Sequence, residues 1–396
     1  MKCDVIVIGA GAAGLMCSAE AAKRGRSVLV LDHGKPGRKV LASGGGRSNF
    51  TNLFLSAENY ISENPDFPKS ALAGFTPDDI VRFLESRGTQ FEEMGDGQLF
   101  LKGRSRDLLD LLLGQCRENG ARIITGAKIR GVDKKTGLFT VRTGKGQFEG
   151  DSLVVATGGL SYPELGATDL GYKIASQFGL RITPLRPALV PFKFSPEELR
   201  RFSGLSGISL KAGITFGKKE KNQKKQKSFE GDILFTHGGL SGPAVLQASL
   251  YWNAEEIVID LLPGIDIKEI FLSEKNRSTE MHNYLSFYMP RRLALRWCEL
   301  FSCSGKPLRL CLAKELESLA EGLHNWKFRP AGTEGYRTAE VTAGGVDTRE
   351  LSSRSMECGK APSLFFVGEV MDVTGQLGGY NLHWAWASGY AAGRYA

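Results

Sequence analysis

The hydrophobic pattern opens on a short unbroken apolar run, Val5-Ile6-Val7-Ile8, that follows Asp4 and contains β-branched residues but no polar alternation. Such a run predicts a strand buried on both faces of a parallel sheet. The segment Leu15 to Arg24 carries helix formers with an apolar face, and a second apolar run, Ser27 to Leu31, ends at Asp32. Helical patterning returns over Phe75 to Arg87 and Ser105 to Asn119. Between Ala121 and Gly150, short alternating runs are broken by Thr136-Gly137 and Gly144-Lys145-Gly146, which predicts a small β-meander.

Pro184, Pro187 and Pro191 cluster where the pattern changes, and they mark a crossing between domains. Residues 190–265 read as β, with runs such as Ile208 to Phe216 and Ile233 to Thr236, and residues 266–334 read as helical. The expected fold is therefore α/β, with one dinucleotide-binding domain assembled from residues 1–189 and 335–396. A β-barrel-like unit and a small helical unit are inserted between its two parts. A chain of 396 residues is long enough to need such a division.

The first strand and helix enclose Gly9-Ala10-Gly11-Ala12-Ala13-Gly14, a full G-x-G-x-x-G. Gly9 permits the tight turn, Gly11 lets backbone approach a pyrophosphate, and Gly14 lets the helix pack on the strand. The helix start, including Ala10 and Ala13, directs N–H groups and the positive dipole end at phosphates. Asp32 stands where a carboxylate meets a ribose hydroxyl, with His33 beside the same ribose.

Three later segments favour FAD over a nicotinamide dinucleotide. Residues 37–52, GRKVLASGGGRSNFTN, gather Arg38, Lys39, Ser43, Gly44, Gly45, Gly46, Arg47, Asn49 and Thr51 as partners for phosphate and flavin edges. The strand that ends in Ala156-Thr157-Gly158-Gly159 predicts a close approach to the dinucleotide. The run Leu364 to Gly389 supplies Gly368, Glu369 and Asp372, then Gly378, Gly379, Tyr380, Asn381 and Leu382 at a helix start. There Glu369 is placed to bind the ribityl chain, and the helix tip to face the electron-rich edge of a flavin. The insert carries no second G-x-G-x-x-G, so NADH or NADPH is expected only as a transient reductant.

With those segments in hand, the chain resembles the BaiN/RdsA family of FAD-dependent oxidoreductases over essentially its whole length. The resemblance rests on residues 37–52, 154–172 (VVATGGLSYPELGATDLGY), 235–246 (FTHGGLSGPAVL), 340–346 (EVTAGGV) and 365–393. It implies a two-dinucleotide-binding-domain type of flavoprotein, Rossmann-type in its FAD-binding part, that reduces conjugated double bonds. Some members act on steroid-like bile-acid intermediates, and others make dihydrouridine in ribosomal RNA. Ser48 stands where the family loop carries cysteine, so a thiol role at that position does not transfer to this chain.

The chemistry so implied is hydride addition to the β-carbon of an unsaturated carbonyl and protonation of its α-carbon. His237, in Thr236-His237-Gly238-Gly239, is a candidate acid, or else a structural histidine that bonds the turn. Tyr380 is a second candidate acid, or a ring packed on the cofactor. Cys358 reads as a thiol acid or as a buried inert cysteine.

Composition changes the picture in two places. The formal net charge is +8, and residues 191–240 hold ten basic and five acidic residues. Within them, Lys218, Lys219, Lys221, Lys224, Lys225 and Lys227 form a cluster that either holds RNA phosphates or is simply a solvated loop. Seven cysteines, with Cys298, Cys303 and Cys311 at spacings that match no zinc site, predict reduced thiols and no metal. No apolar run reaches the length of a membrane span, and the opening run is too short for a signal peptide, so the expected location is cytoplasmic.

Three readings remain open at this point: a ribosomal RNA dihydrouridine synthase, a reductase of small enones, and a non-catalytic flavin-dependent RNA-binding or ribosome-binding factor.

Overall fold

The computed structural model describes residues 1–216 and 227–396. Lys218, Lys219, Lys221, Lys224 and Lys225 lie outside the described residues. The chain forms two compact units, one from Met1–Pro187 with Ala339–Ala396 and one from Ala188–Thr338.

The first unit is organised by two neighbouring strands, Lys2–Ile8 and Gly146–Val155, which pair in parallel. Val5, Ile6 and Val7 are fully buried, as expected of a central parallel strand covered on both faces. The first strand takes Val28–Leu31 on its other edge, also in parallel. The ten-residue strand Gly146–Val155 divides its outer edge. Its first half pairs antiparallel with Leu138–Thr143, the last turn of the meander. Its second half pairs in parallel with Leu364–Phe366 from the far end of the chain.

Helix Ala12–Lys23 lies against helix Tyr380–Gly393. The contact is backbone-close, because a Cβ at Gly389 would stand 2.4 Å from the Ala13 carbonyl oxygen. One at Gly393 would stand 2.7 Å from the Cys17 carbonyl. The two glycines, four residues apart on one helix face, therefore set the spacing of the pair.

The second unit contains a seven-stranded sheet, all antiparallel, in the order Trp326–Phe328, Ile257–Asp260, Ser209–Phe216, Ser228–Phe235, Gly239–Ser241, Phe192–Lys193, Gly332–Thr333. Two of these strands come from the stretch read as purely helical in the sequence. Helix Arg291–Leu300 shares the core of the sheet: Trp297 stacks on Phe202 at 5.7 Å, and Phe202 meets Trp326 at 5.0 Å. The β and helical parts thus form one unit, because the apolar stripe of Leu293, Ala294 and Trp297 is buried against the sheet.

Among the described residues, no helix is long and apolar enough to cross a membrane. No group of three His, Cys, Asp or Glu side chains among them could hold a metal ion.

Candidate functional site

The glycine loop of the first unit is built from the strand outward. A Cβ on Gly14 would lie 2.0 Å from the Gly9 carbonyl oxygen, and one on Gly9 would lie 2.3 Å from the Ala156 oxygen, so both positions exclude side chains. Gly11 differs: a Cβ there would meet no protein atom within 4 Å. The same holds for Gly45 and Gly46. Helix Ala12–Lys23 starts at Gly11 without a side-chain cap and without an acid in its first turn, so its leading N–H groups are available to an anion. Openness at the glycines and an uncapped helix tip are what a dinucleotide diphosphate requires, and these residues fit one.

Asp32, 8% exposed, uses its carboxylate on the protein itself. It accepts the Ala10 amide at 2.8 Å and the Gly34 amide at 2.7 Å. It fixes the loop and still has lone pairs for a ribose hydroxyl. Arg38 donates to His33 Nε2 at 2.9 Å and lies 3.6 Å from Asp32. Its guanidinium fits between Gly34 and Gly166, where a Cβ would stand 2.7 Å and 2.0 Å from it. The sequence reading included Arg38 but not the two glycines that make room for it.

Three successive left-handed glycines, Gly44, Gly45 and Gly46 at φ 55°, 63° and 88°, and then Ser48 at φ 46° beyond Arg47, curl the second glycine loop. Ser48 is fully buried and sits 3.1 Å from the Ser43 hydroxyl. Arg47 does not stand free for a phosphate: it is paired with Glu92 and lies over the Phe100 ring at 5.9 Å. Asn49, in the amide orientation that satisfies both of its ends, donates to the Leu99 and Thr51 carbonyls at 3.2 and 3.3 Å and accepts the Gly379 amide at 3.2 Å. The fully buried Thr51 places its hydroxyl 2.7 Å from His383 Nδ1, and the other ring nitrogen lies 2.9 Å from the Phe75 carbonyl.

The third wall is a charged knot. Lys39 Nζ lies 2.6 Å from Glu369 and 3.0 Å from the Ser161 hydroxyl. Glu369 also accepts from Ser161 at 2.9 Å and from the Thr342 amide at 2.9 Å. Burial pushes the Glu369 carboxyl up, but Lys39 and these hydrogen bonds outweigh it and hold the group below the usual carboxylate range. Gly158 turns at φ 71°, and Gly159 passes so close to Thr342 that a Cβ would be 2.5 Å from its hydroxyl. Thr157 has a buried hydroxyl with no hydrogen-bond partner among the described residues. Asp372 accepts the Glu63 amide at 2.8 Å, and burial raises its carboxyl.

Gly378 and Gly379, at φ 116° and 93°, deliver the chain into helix Tyr380–Gly393, whose start also lacks a side-chain cap. A Cβ on Gly379 would stand 2.4 Å from the Thr51 oxygen. Asn381 holds the preceding turn through both Gly375 backbone groups at 2.8 Å, and Tyr60 donates to the Tyr380 carbonyl at 2.9 Å. The amides of Tyr380, Asn381 and Leu382 form the helix tip that the sequence assigned to an electron-rich ring edge. The Tyr380 phenol is raised by burial and then by Asp96.

His237 belongs to the second unit. The turn there is built by Thr236, whose hydroxyl accepts the Gly238 and Gly239 amides at 3.2 and 3.0 Å. His237 is exposed and makes no hydrogen bond among the described residues, so it is not the group that holds the turn. Lys227 caps the ring of Tyr251 at 3.7 Å and its pKa is lowered by burial, unlike a freely solvated lysine. Cys358 is 2% exposed, which fits its inert reading. Three site members, Ser161, Thr342 and His383, lie within the motif segments, yet nothing in the sequence singles them out individually.

A Rossmann-type cofactor domain completed by a distant C-terminal segment, with two open glycine turns and two uncapped helix tips, defines a dinucleotide-binding protein of the flavoprotein architecture. The chain belongs to the family described as HI0933-like protein Rossmann domain, which matches residues 3–395. It is 45% identical over 393 residues to the ribosomal RNA dihydrouridine synthase of Escherichia coli (strain K12), covering 98% of this chain and 96% of that protein. It is 29% identical over 407 residues to the 3-dehydro-bile acid delta(4,6)-reductase of Clostridium scindens, covering 98% of each. Among solved structures, a quinol-fumarate reductase with menaquinol molecules shares the fold at a TM-score of 0.52 and 16% identity, over 100% of this chain and 70% of that one.

Proposed function

We propose that this protein is an FAD-dependent reductase of a conjugated C=C bond, acting on uridine in ribosomal RNA to give dihydrouridine. The observation that carries the reading is the near full-length likeness, at 45% identity, to a ribosomal RNA dihydrouridine synthase. The glycine cradle and helix tips fit the cofactor that such a reaction needs.

When bound, the flavin supplies the hydride that C6 of the uracil ring receives, NADH or NADPH having reduced it beforehand. The chain's own part is to bind, orient and protonate. The Gly9–Gly14 loop and the Ala12–Lys23 tip would hold the diphosphate, and Asp32 with Arg38 and His33 would meet the ribose. The Lys39–Glu369 pair with Ser161 would meet the sugar-alcohol chain, and the Tyr380–Leu382 amides would favour negative charge on the ring edge. A proton must reach C5 from the protein, and the sequence offers His237 and Tyr380 for this. The target base has to leave its stack to be reached, and Lys218, Lys219, Lys221, Lys224 and Lys225 suit the phosphates around it. On this reading the protein works where ribosomes are, in the cytoplasm.

The test is nucleoside mass spectrometry of ribosomal RNA from cells with and without the gene. Loss of a dihydrouridine on deletion, and its return when the gene is restored, supports the reading; an unchanged nucleoside profile refutes it. The likeness to the bile-acid reductase supports a second reading, a small-enone reductase. It requires turnover of free enones by purified holoprotein in the absence of RNA.

A further inference from the structure

The reaction proposed above takes its base from ribosomal RNA, and the present inference rests on that reading for the identity of the partner. We infer that Arg200, Arg201, Arg291 and Arg292, with the ring of Phe287, form a landing surface for a single-stranded stretch of that RNA, separate from the lysine-rich segment.

The surface lies wholly within the unit Ala188–Thr338. It is assembled from two stretches that touch although 88 residues separate them in the chain. Arg200 and Arg201 close the short helix Pro196–Arg201, and Arg291 and Arg292 open the ten-residue helix Arg291–Leu300. Core packing holds the two together, because Phe202 stacks on Trp297 with ring planes 17° apart. Outside that stack, Arg292 donates to the Gly204 carbonyl at 2.9 Å and Arg296 to the Ser203 carbonyl at 3.4 Å. The Ser203 amide reaches back to the Arg200 carbonyl at 3.5 Å, and the Arg201 guanidinium lies 5.7 Å from the centre of the Phe202 ring. Five arginines are thereby gathered along one seam.

Charge balance is not what gathers them. Arg296 pairs with Glu299 at 2.8 Å. Arg200, Arg201, Arg291 and Arg292 are exposed and have no carboxylate partner among the described residues. Glu197 and Glu198 stand at the opposite end of helix Pro196–Arg201, where Glu198 accepts the Ser195 amide at 2.9 Å. Helix Arg291–Leu300 starts with two cations, with no acid in its first turn and no side-chain cap. A helix start is the positive end of the backbone dipole, so arginine there works against the helix. An anion that receives the guanidinium forks and the free amides together relieves the crowding, and a phosphodiester has that chemistry.

Phe287 supplies the apolar part. At 75% exposure it is the most exposed large apolar side chain among the described residues. Its amide donates to the Tyr284 carbonyl at 3.2 Å and its ring meets the buried Tyr284 edge-on at 6.1 Å, so one side is anchored and the rest faces solvent. It precedes Arg291 by four residues, which keeps the two backbones within about 14 Å. A free ring beside several guanidinium groups is what an unstacked base and its phosphates require. An acidic protein would use the arginines and leave the ring idle; RNA accounts for both.

The test uses holoprotein with its lysines intact and a fluorescein-labelled single-stranded oligouridine of about 16 nucleotides, titrated by anisotropy at several salt concentrations. Arg200→Gln with Arg291→Gln removes two phosphate contacts. Affinity falls by about 10-fold, and the slope of log affinity against log salt shrinks by about 1.4. Phe287→Ala weakens binding by about 10-fold with the salt slope unchanged. Arg291→Glu separates binding from folding: an acid at that helix start suits the dipole, so the urea midpoint holds or rises while RNA affinity falls.

Affinity within about twofold of wild type in either the arginine pair or the ring variant overturns the inference. Polyglutamate bound as tightly as oligouridine also overturns it, the partner then being an acidic protein. If deleting the gene leaves ribosomal RNA nucleosides unchanged while the oligouridine results hold, the reductase reading falls and the RNA surface stands.

Discussion

Acidifying the protein from pH 7 to pH 4 should set His383 against the fold. The ring is fully buried. Its Nε2 lies 2.9 Å from the Phe75 carbonyl, which can only accept, so Nε2 carries the hydrogen. Nδ1, 2.7 Å from the Thr51 hydroxyl, is then the acceptor in the neutral ring. A second proton would turn that acceptor into a donor facing the hydroxyl and would leave a charge in an apolar site. Burial accordingly lowers the His383 pKa from 6.5 to about 4, against the smaller opposing effects of the Phe75 carbonyl and Asp79. Between those limits the unfolded chain takes up a proton that the folded chain refuses, so stability falls as pH falls through that window and levels off below it. At about 1.4 kcal/mol per pH unit, the loss comes to about 3 kcal/mol. The assay is urea unfolding at fixed ionic strength at pH 7, 6, 5 and 4 for wild type and His383→Gln, whose amide can donate to Phe75 but has no proton to gain. The difference between the two stabilities should shrink by that amount over the window. Parallel curves, within about 0.5 kcal/mol, would show that the ring is not held neutral by its surroundings and would refute the argument.

Other outcomes follow from neighbouring features. Burial pushes the Asp347 carboxyl up, but Arg349 and Arg181 prevail and hold it at about 2, so its contribution is present above the unfolded carboxylate range and is lost as pH falls through about 2. Asp347→Asn should cost about 2 kcal/mol in urea unfolding at pH 7, with a difference from wild type that vanishes in strong acid. Gly389→Leu would force the helix pair apart at the 2.4 Å approach to Ala13. It should destabilise by about 3 kcal/mol, read by unfolding, and lower the flavin-to-protein absorbance ratio of the purified chain. Six of the seven cysteines are buried and Cys311 is the partly exposed one, so a short pulse of thiol reagent on native protein should label Cys311 alone in peptide mass spectrometry.

Much of the cofactor unit was readable because its signals are local. A strand, a glycine turn, a helix and an acid follow one another within Asp4 to Asp32, and each has a spacing that geometry dictates. Gly368-Glu369 and the helix start at Gly379 were readable for the same reason. What the sequence hides is pairing across long separations. Nothing near Glu369 reveals that Lys39 neutralises it, or that Asp32 spends its oxygens on Ala10 and Gly34. The insert shows the same limit: the stripe on Arg291–Leu300 announces a buried face but not which surface buries it. Arg47 and Lys227 fit an anion by composition, yet Glu92 and the Tyr251 ring hold them, and only the fold discloses those partners.

The strand Gly146–Val155 is flanked by the first strand on one edge and by Leu364–Phe366 on the other, and helix Ala12–Lys23 is covered by helix Tyr380–Gly393. During translation, the turn made within the opening 14 residues therefore waits, half-walled, while more than 350 further residues emerge. Through that interval an alanine-rich helix face and a sheet edge lack their partners, and pairing over so long a separation slows assembly of the unit. A dinucleotide seated in the completed cradle binds only the finished arrangement of these distant segments, and so stabilises it by mass action.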